Sequence, residues 1–493
     1  MRKCTILLVV LLVCSFGYSQ SIDTEYVRKN ANSPGGRADL NAMKKAFDIM
    51  RDMDCKSGLS WYSQGAMHNT PSVINGPNQL CQGFQGHDKM PNLPFGWDNC
   101  THEGGNPNSS FNFLLWHRMY IWHLEKVVRE LSGVSDFALP YWDYTEQDDR
   151  KMPELLTQKE ESLYTKARLS SLNNGQEICS EQFDEMKRQM KELSEITEFQ
   201  TFSKNLNNNP HGVMHNYIGG GFPGDESSCN AETMYNEIYQ QKDMSGLMGQ
   251  VQSAGFDPVF WLHHSKIDYI WQQWMNSENG KKPSEDSVLK HVWPYNFIQP
   301  DGSKITYTMQ EVYDIVFNLD YTYQGIEKST YLASRESSPT ILKSNVQEKT
   351  TKTLIWEHTV GKTIADKTFV HEISTDLNKK TKSTFRNINA TSKVLDFDVV
   401  VYKEPKDFYT VYIRYEGEKD SYIGTMSFFG VAHEHGIKKH SIAEKGVKLN
   451  FSFDISDELK DIQKPFSIYI KKHGNGTAKV TIENLKLFTY NKE

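Results

Sequence analysis

Gly255-Phe-Asp-Pro-Val-Phe-Trp-Leu-His-His-Ser-Lys-Ile-Asp268 starts a helix and loads it with histidine. Asp257 is a good N-cap because its short carboxylate accepts from the unpaired amides of a first turn, and Pro258 is tolerated at the first helical position. The helix runs towards Met275 and carries His263, His264, Asp268 and Trp271. Asn209-Pro210 repeats the device upstream, and His211 and His215 then share one helical face. Imidazole suits copper, zinc, iron and nickel, so two helix starts that each deliver histidines indicate a metal before they indicate which one. The pair at 211 and 215 lacks the intervening Glu of a zinc-protease helix.

Outward from this stretch, residues 111–131 keep Leu114, His117, Ile121 and Leu124 on one helical stripe, so a histidine occupies a place suited to a core apolar residue. Residues 37–53 space Leu40, Met43, Phe47 and Met50 as an amphipathic helix. Residues 147–204, rich in Glu, Lys and Gln, read as solvated helices and excursions that carry no site. After Tyr323 the composition turns to Ser, Thr and Lys, with β-branched and aromatic runs at 397–402, 409–415, 449–453 and 466–470 that read as strands. The fold class expected is mainly α: a helical-bundle domain over 21–325, a linker over 326–350, and a smaller β-rich domain over 351–493, either sandwich or barrel.

A chain of 493 residues exceeds what one core usually covers, and 38% hydrophobic with 24% charged residues is the composition of a protein that buries a real core. The net charge of −7 gives no reason to expect nucleic acid or an anionic membrane as partner. Arg2 and Lys3, an apolar run from Ile6 to Val13 and small residues near Ser15, Gly17 and Ser19 read as a signal peptide over 1–20, so the chain is expected to be secreted without a membrane anchor. Five cysteines then remain, Cys55, Cys81, Cys100, Cys179 and Cys229. Four of them can pair in three ways, leaving one over for other chemistry.

The stretch 255–268 closely resembles the second copper motif of the tyrosinases, catechol oxidases and molluscan haemocyanins, in which the second histidine of the pair, here His264, binds copper. Phe113-Leu-Leu-Trp-His-Arg-Met-Tyr-Ile-Trp-His-Leu-Glu125 looks like the first copper motif, with His117 as ligand, and Leu139-Pro-Tyr-Trp-Asp-Tyr144 usually follows it. Trp61-Tyr-Ser-Gln-Gly-Ala-Met-His68 is similar to the segment carrying the family's first ligand. The resemblance, over about 27–323, implies two copper ions held by His68, His102 and His117 and by His211, His215 and His264. At the family's spacing the middle ligand of the first copper would fall on Asn108; Cys100-Thr-His102 matches the family's Cys-x-His unit instead, and His87 is its rival. The same resemblance implies a thioether between Cys100 and His102, which leaves Cys55, Cys81, Cys179 and Cys229 as disulfide candidates.

The family's chemistry is the oxidation of phenols with dioxygen, so the implied partners are phenolic small molecules or protein tyrosyl groups. His263 is expected to line the pocket without binding metal, with Asp268 acting behind the ligands. Val251, thirteen residues before the last ligand, should leave the pocket open where relatives place a bulky Phe. Asn207-Asn-Asn209 lacks the carboxylate linked to monophenol use, while Gly212 and Asn216 give mixed signals; together these favour diphenol over monophenol oxidation. A haemocyanin-like oxygen binder would keep the same ligands, and a copper-binding matrix protein without activity is the reading from a different class. Residues 395–401 and 422–433 resemble the shielding domain of plant polyphenol oxidases.

Overall fold

The computed structural model describes residues 26–69, 95–100 and 109–326 apart from 56, 98, 221–228, 230, 231, 240, 292 and 294. In the C-terminal part it describes 350–364, 368–373, 392–402, 408–415, 420–426, 446–455, 466–473 and 477–492, with isolated residues between. Residues 1–20, Cys81, His87, His102 and nearly all of 326–350 lie outside these.

Helix Pro34–Asp52 is capped by Ser33, whose hydroxyl accepts from the Gly36 amide, and Leu40, Met43, Phe47 and Met50 form its buried stripe as the spacing predicts. It packs against helix Ser109–Ser132, on which His117 stands between the buried side chains of Leu114 and Ile121. The Ser60 hydroxyl caps the short helix Trp61–His68, and the Asp257 carboxylate accepts from Val259 to cap Pro258–Asn276. Around Asn209-Pro210 the backbone is less regular than a simple helix start. Asn209 is extended (φ −143°, ψ 118°) within the π-helical turn Asn207–Gly212, and helix Val213–Gly219 follows directly.

Two features of this domain were not legible in the chain. The three-residue strands Tyr26–Arg28 and Tyr321–Tyr323 pair in parallel and bring the two ends of the domain together. Residues 147–204 form solvated helices at Ser180–Glu195 and Phe199–Leu206, but Arg168, within that stretch, is fully buried and clasps Asp257 with hydrogen bonds of 2.6–3.0 Å. The polar stretch therefore anchors the start of the histidine-bearing helix, contrary to its reading as mere solvated surface. Among the described residues no helix is long and apolar enough to cross a membrane.

The C-terminal part is a sandwich rather than a barrel, because its two four-stranded sheets stay open. One runs Ser421–Met426, Phe408–Tyr415, Phe466–His473, Thr368–Ile373; the other runs Val447–Asp454, Ser392–Val401, Val480–Lys492, Thr350–Ile364. Alternate residues such as Leu395, Phe397 and Val399 on one sheet and Val411, Ile413, Ile468 and Ile470 on the other share a single core. Strand Ser421–Met426 touches Asn207–Gly212, and strand Val447–Asp454 touches helix Phe199–Leu206.

Candidate metal centre

His68 ends its short helix, His117 sits inside Ser109–Ser132, His211 and His215 follow the Asn209 break, and His263 and His264 occupy the second turn of Pro258–Asn276. All six are buried. Their ring nitrogens fall into two adjoining groups, His68 with His117 and His264, and His211 with His215, His263 and His264; within each, the atoms lie within 4.8 Å of one another. The rings of His117 and His264 stack in parallel at 4.2 Å, so the groups touch through a shared member.

Backbone carbonyls orient four of these rings. Nδ1 of His68 meets the Val251 carbonyl at 3.1 Å, and Nδ1 of His117 meets Phe113 at 2.9 Å. Nδ1 of His211 meets Asn207 at 2.9 Å, and Nδ1 of His215 meets Met248 at 2.9 Å. A carbonyl oxygen only accepts, so Nδ1 carries the proton in each and Nε2 keeps its lone pair. Burial holds the pKa of His117, His215, His263 and His264 well below the ordinary imidazole value, and that of His211 at about 3, which leaves these rings neutral at pH 7. Both nitrogens of His264 and Nε2 of His263 are buried with no hydrogen-bond partner. Such orphaned buried polar atoms are costly unless something binds them. Neutral, desolvated, pre-oriented imidazoles with no carboxylate in either group fit a soft-to-borderline metal ion.

Phe260 packs beside both groups, its ring 4.8 Å from His68 and 4.3 Å from His264. It lies one turn before His264, so helical spacing could have found it. Tyr144, whose hydroxyl is 3.0 Å from Nδ1 of His263, and the carbonyls of Met248 and Val251 had no such signal.

Of the predicted residues, His68, His117, His211, His215 and His264 come together, while His102 and its rival His87 lie outside the described residues. His263, expected to line a pocket, stands within the second group itself. Gly212 is buried and Asn216 half-buried beside the two ligands of their helix. Val251 is buried, and its carbonyl is the part that meets a histidine. Asp268 does not support a ring: its carboxylate accepts from Arg28, Arg118, Tyr321 and Tyr323, because two guanidinium groups outcompete an imidazole for a buried carboxylate. Cys179 pairs with Cys229, and Cys55 is disulfide-bonded to a partner outside the described residues. Cys100 is buried, and its Sγ lies 3.5 Å from Nε2 of His117.

Residues 58–197 and 164–277 match the common central domain of tyrosinase. The chain belongs to the tyrosinase and catechol oxidase family. It is similar to the tyrosinase HcTyr1 of Hahella sp. (strain CCB-MM4), 23% identical across 86% of this chain and 89% of that protein. It is 24% identical to chloroplastic polyphenol oxidase B of Solanum lycopersicum across 77% of this chain and 66% of that protein. The fold matches a latent aurone synthase (polyphenol oxidase) with a TM-score of 0.60 at 17% identity, covering 95% of this chain and 91% of that one. It matches latent apple tyrosinase with a TM-score of 0.58 at 16% identity, covering 94% and 97%. Both likenesses extend over helical and β regions alike. Tyrosinases are a type 3 dicopper family, and the two histidine groups of this member are able to hold metal.

Proposed function

We propose that this chain is a secreted oxidase that converts o-diphenols to o-quinones with dioxygen. Its two histidine groups would hold copper, His68, His102 and His117 one ion and His211, His215 and His264 the other. The observation that carries this reading is the pair of adjoining, carboxylate-free imidazole groups that meet at His264. When bound, the copper pair supplies the electron transfer to dioxygen; two diphenols give up two electrons and two protons each, and one O2 becomes two waters.

The chain's own contribution is to hold neutral imidazoles in fixed tautomers, through the carbonyls of Phe113, Asn207, Met248 and Val251, and to keep water away with Phe260 and Phe113. Phenols of low molecular weight or protein tyrosyl groups are the substrates, with diphenols favoured over monophenols since residues 207–209 carry amides in place of a carboxylate base. The thioether between Cys100 and His102 and export directed by residues 1–20 belong to the same proposal. So does the role of the sandwich as a cover over the centre, supported by the contact of strand Ser421–Met426 with Asn207–Gly212.

Metal analysis of the purified chain, followed by oxygen uptake with catechol, tyrosol and a tyrosyl peptide, tests this. Two coppers per chain with catechol turnover is the outcome expected. Copper without turnover by the intact or the cleaved chain would leave an oxygen carrier or a matrix protein, and no copper would remove the reading.

A further inference from the structure

We propose that Asn236 and Ser253 are positioning residues for both histidine groups at once, acting through the single turn 247–251; the proposal rests on the metal reading above. The carbonyls that receive Nδ1–H of His215 and of His68 belong to Met248 and Val251, three residues apart. One imidazole of each group is therefore oriented by the same short turn. If that turn shifts, both rings rotate.

What fixes the turn is a buried polar pair that touches neither ring. The Ser253 hydroxyl donates to the Leu247 carbonyl at 2.9 Å, while the Asn236 side-chain amide donates to the Ser253 oxygen at 3.1 Å and to the Ser245 carbonyl at 3.3 Å. The carbonyl of the same amide accepts from the Ile238 and Tyr239 backbones at 3.1 and 3.3 Å, which locks Asn236 in place. Both side chains are fully buried. Buried hydrogen bonds of this kind specify one arrangement because any alternative strands a polar group without water.

The turn also has no room to drift. A Cβ on Gly219, four residues after His215, would lie 2.1 Å from the Gly249 nitrogen, so the helix bearing His215 sits directly on the turn. A Cβ on Gly255 would meet the Gly65 carbonyl at 2.8 Å and the His68 Cβ at 3.0 Å, which brings the far end of the segment against the helix bearing His68. Groups that orient metal-binding histidines typically change metal affinity by about 10–100-fold when removed. Here the effect should fall on both ions together.

The test loads the full-length chain with copper and measures copper per chain against rising chelator, with thermal melting of the metal-free form alongside. Ser253→Ala and Asn236→Ala should release copper at roughly 10-fold higher free copper than the unmodified chain or more, passing from two ions to none without a plateau at one. Ser253→Thr, which keeps the hydroxyl, should retain copper like the unmodified chain. A plateau at one copper, release identical to the unmodified chain, or Ser253→Thr leaking like Ser253→Ala would overturn the proposal. So would a loss of metal-free stability with copper release unchanged, which would assign the pair to folding alone. An unmodified chain that holds no copper would overturn the metal reading and this proposal with it; one that holds two while the variants match it overturns only the shared turn.

Discussion

The Arg118 guanidinium lies on the Asp268 carboxylate, Nε to Oδ1 2.5 Å, and Arg28 meets the other oxygen at 3.1 Å. Asp268 stands one turn beyond His264, and through it the first strand, the helix of His117 and the helix of His264 share a buried ionic knot with Tyr321 and Tyr323. Removing the carboxylate takes the counter-charge from Arg118 and leaves Arg28 only the Glu125 carboxylate, 2.7 Å from its Nε. Asp268→Ala should cost about 3–5 kcal/mol of stability, and Asp268→Asn less, because the amide still accepts. Burial pushes this carboxyl up, but Arg118, Arg28 and the two tyrosine hydroxyls outweigh it and hold it below the usual carboxylate range. Its stabilising part is thus present above the unfolded value of about 3.9 and lost as pH falls further towards the folded value. Chemical denaturation of metal-free protein checks this; equal stability of the Ala variant and the parent would refute the knot.

A second ionic contact sets where the histidine helix begins. Asp257 caps that helix through Val259 and is clasped by the buried Arg168. Asp257→Asn keeps a good cap but loses the charge facing Arg168; Asp257→Ala loses both. The Ala variant should melt lower than the Asn variant by an amount equivalent to about 1 kcal/mol, and both should melt below the parent. Indistinguishable Asn and Ala variants would show that the carboxylate serves Arg168 alone.

The buried imidazoles make the metal-free protein sensitive to mild acid. Burial lowers the folded-state pKa of His117, His211, His215, His263 and His264, whereas the unfolded chain takes up protons on them near pH 6.5. Stability is therefore complete above about pH 6.5 and falls as pH drops below it, by up to ~1.4 kcal/mol per pH unit for each histidine, until the folded values are reached. Urea midpoints of metal-free protein at pH 7.5 and 5.5 should differ markedly, and His264→Ala should flatten the slope. A slope unchanged in that variant would argue that His264 is not held neutral.

How much of this was written in the chain depends on how local each signal is. The helix at 258–276, its cap and its histidines follow from residues a few positions apart, and the stripe through His117 needs only 3.6-residue spacing. Strands at 397–402 and 466–470 announced themselves by aromatic and β-branched runs, but Thr350–Ile364 did not: no such run was singled out in it, and its place in the sheet comes from pairing with Val480–Lys492. The supports of the centre were the least legible. Arg168 reaches 89 positions along the chain to Asp257, Tyr144 reaches 119 to His263, and the acceptors for His68 and His215 are backbone carbonyls, which any residue type can supply.

The last prediction concerns the sandwich. Strand Ser421–Met426 is an edge strand of its sheet, yet it is not left bare, since it meets Asn207–Gly212, the turn that holds His211. Under the proposed cover role, a domain seated on that turn keeps phenols from the second histidine group, and turnover requires molecules in which it has lifted off. If the covered state is favoured by about 3 kcal/mol, roughly 1% of molecules are open at any moment, and apparent activity is reduced by that fraction. Proteolytic cleavage within 326–350 removes the tether, so the contact must then survive as a bimolecular one, and at dilute concentration the covered population falls. We expect kcat/KM for catechol to rise by about 10–100-fold on cleavage, with copper per chain unchanged and the two fragments separating on size exclusion. Fragments that separate while the rate stays as it was would show that the sandwich stabilises its neighbour without covering the centre.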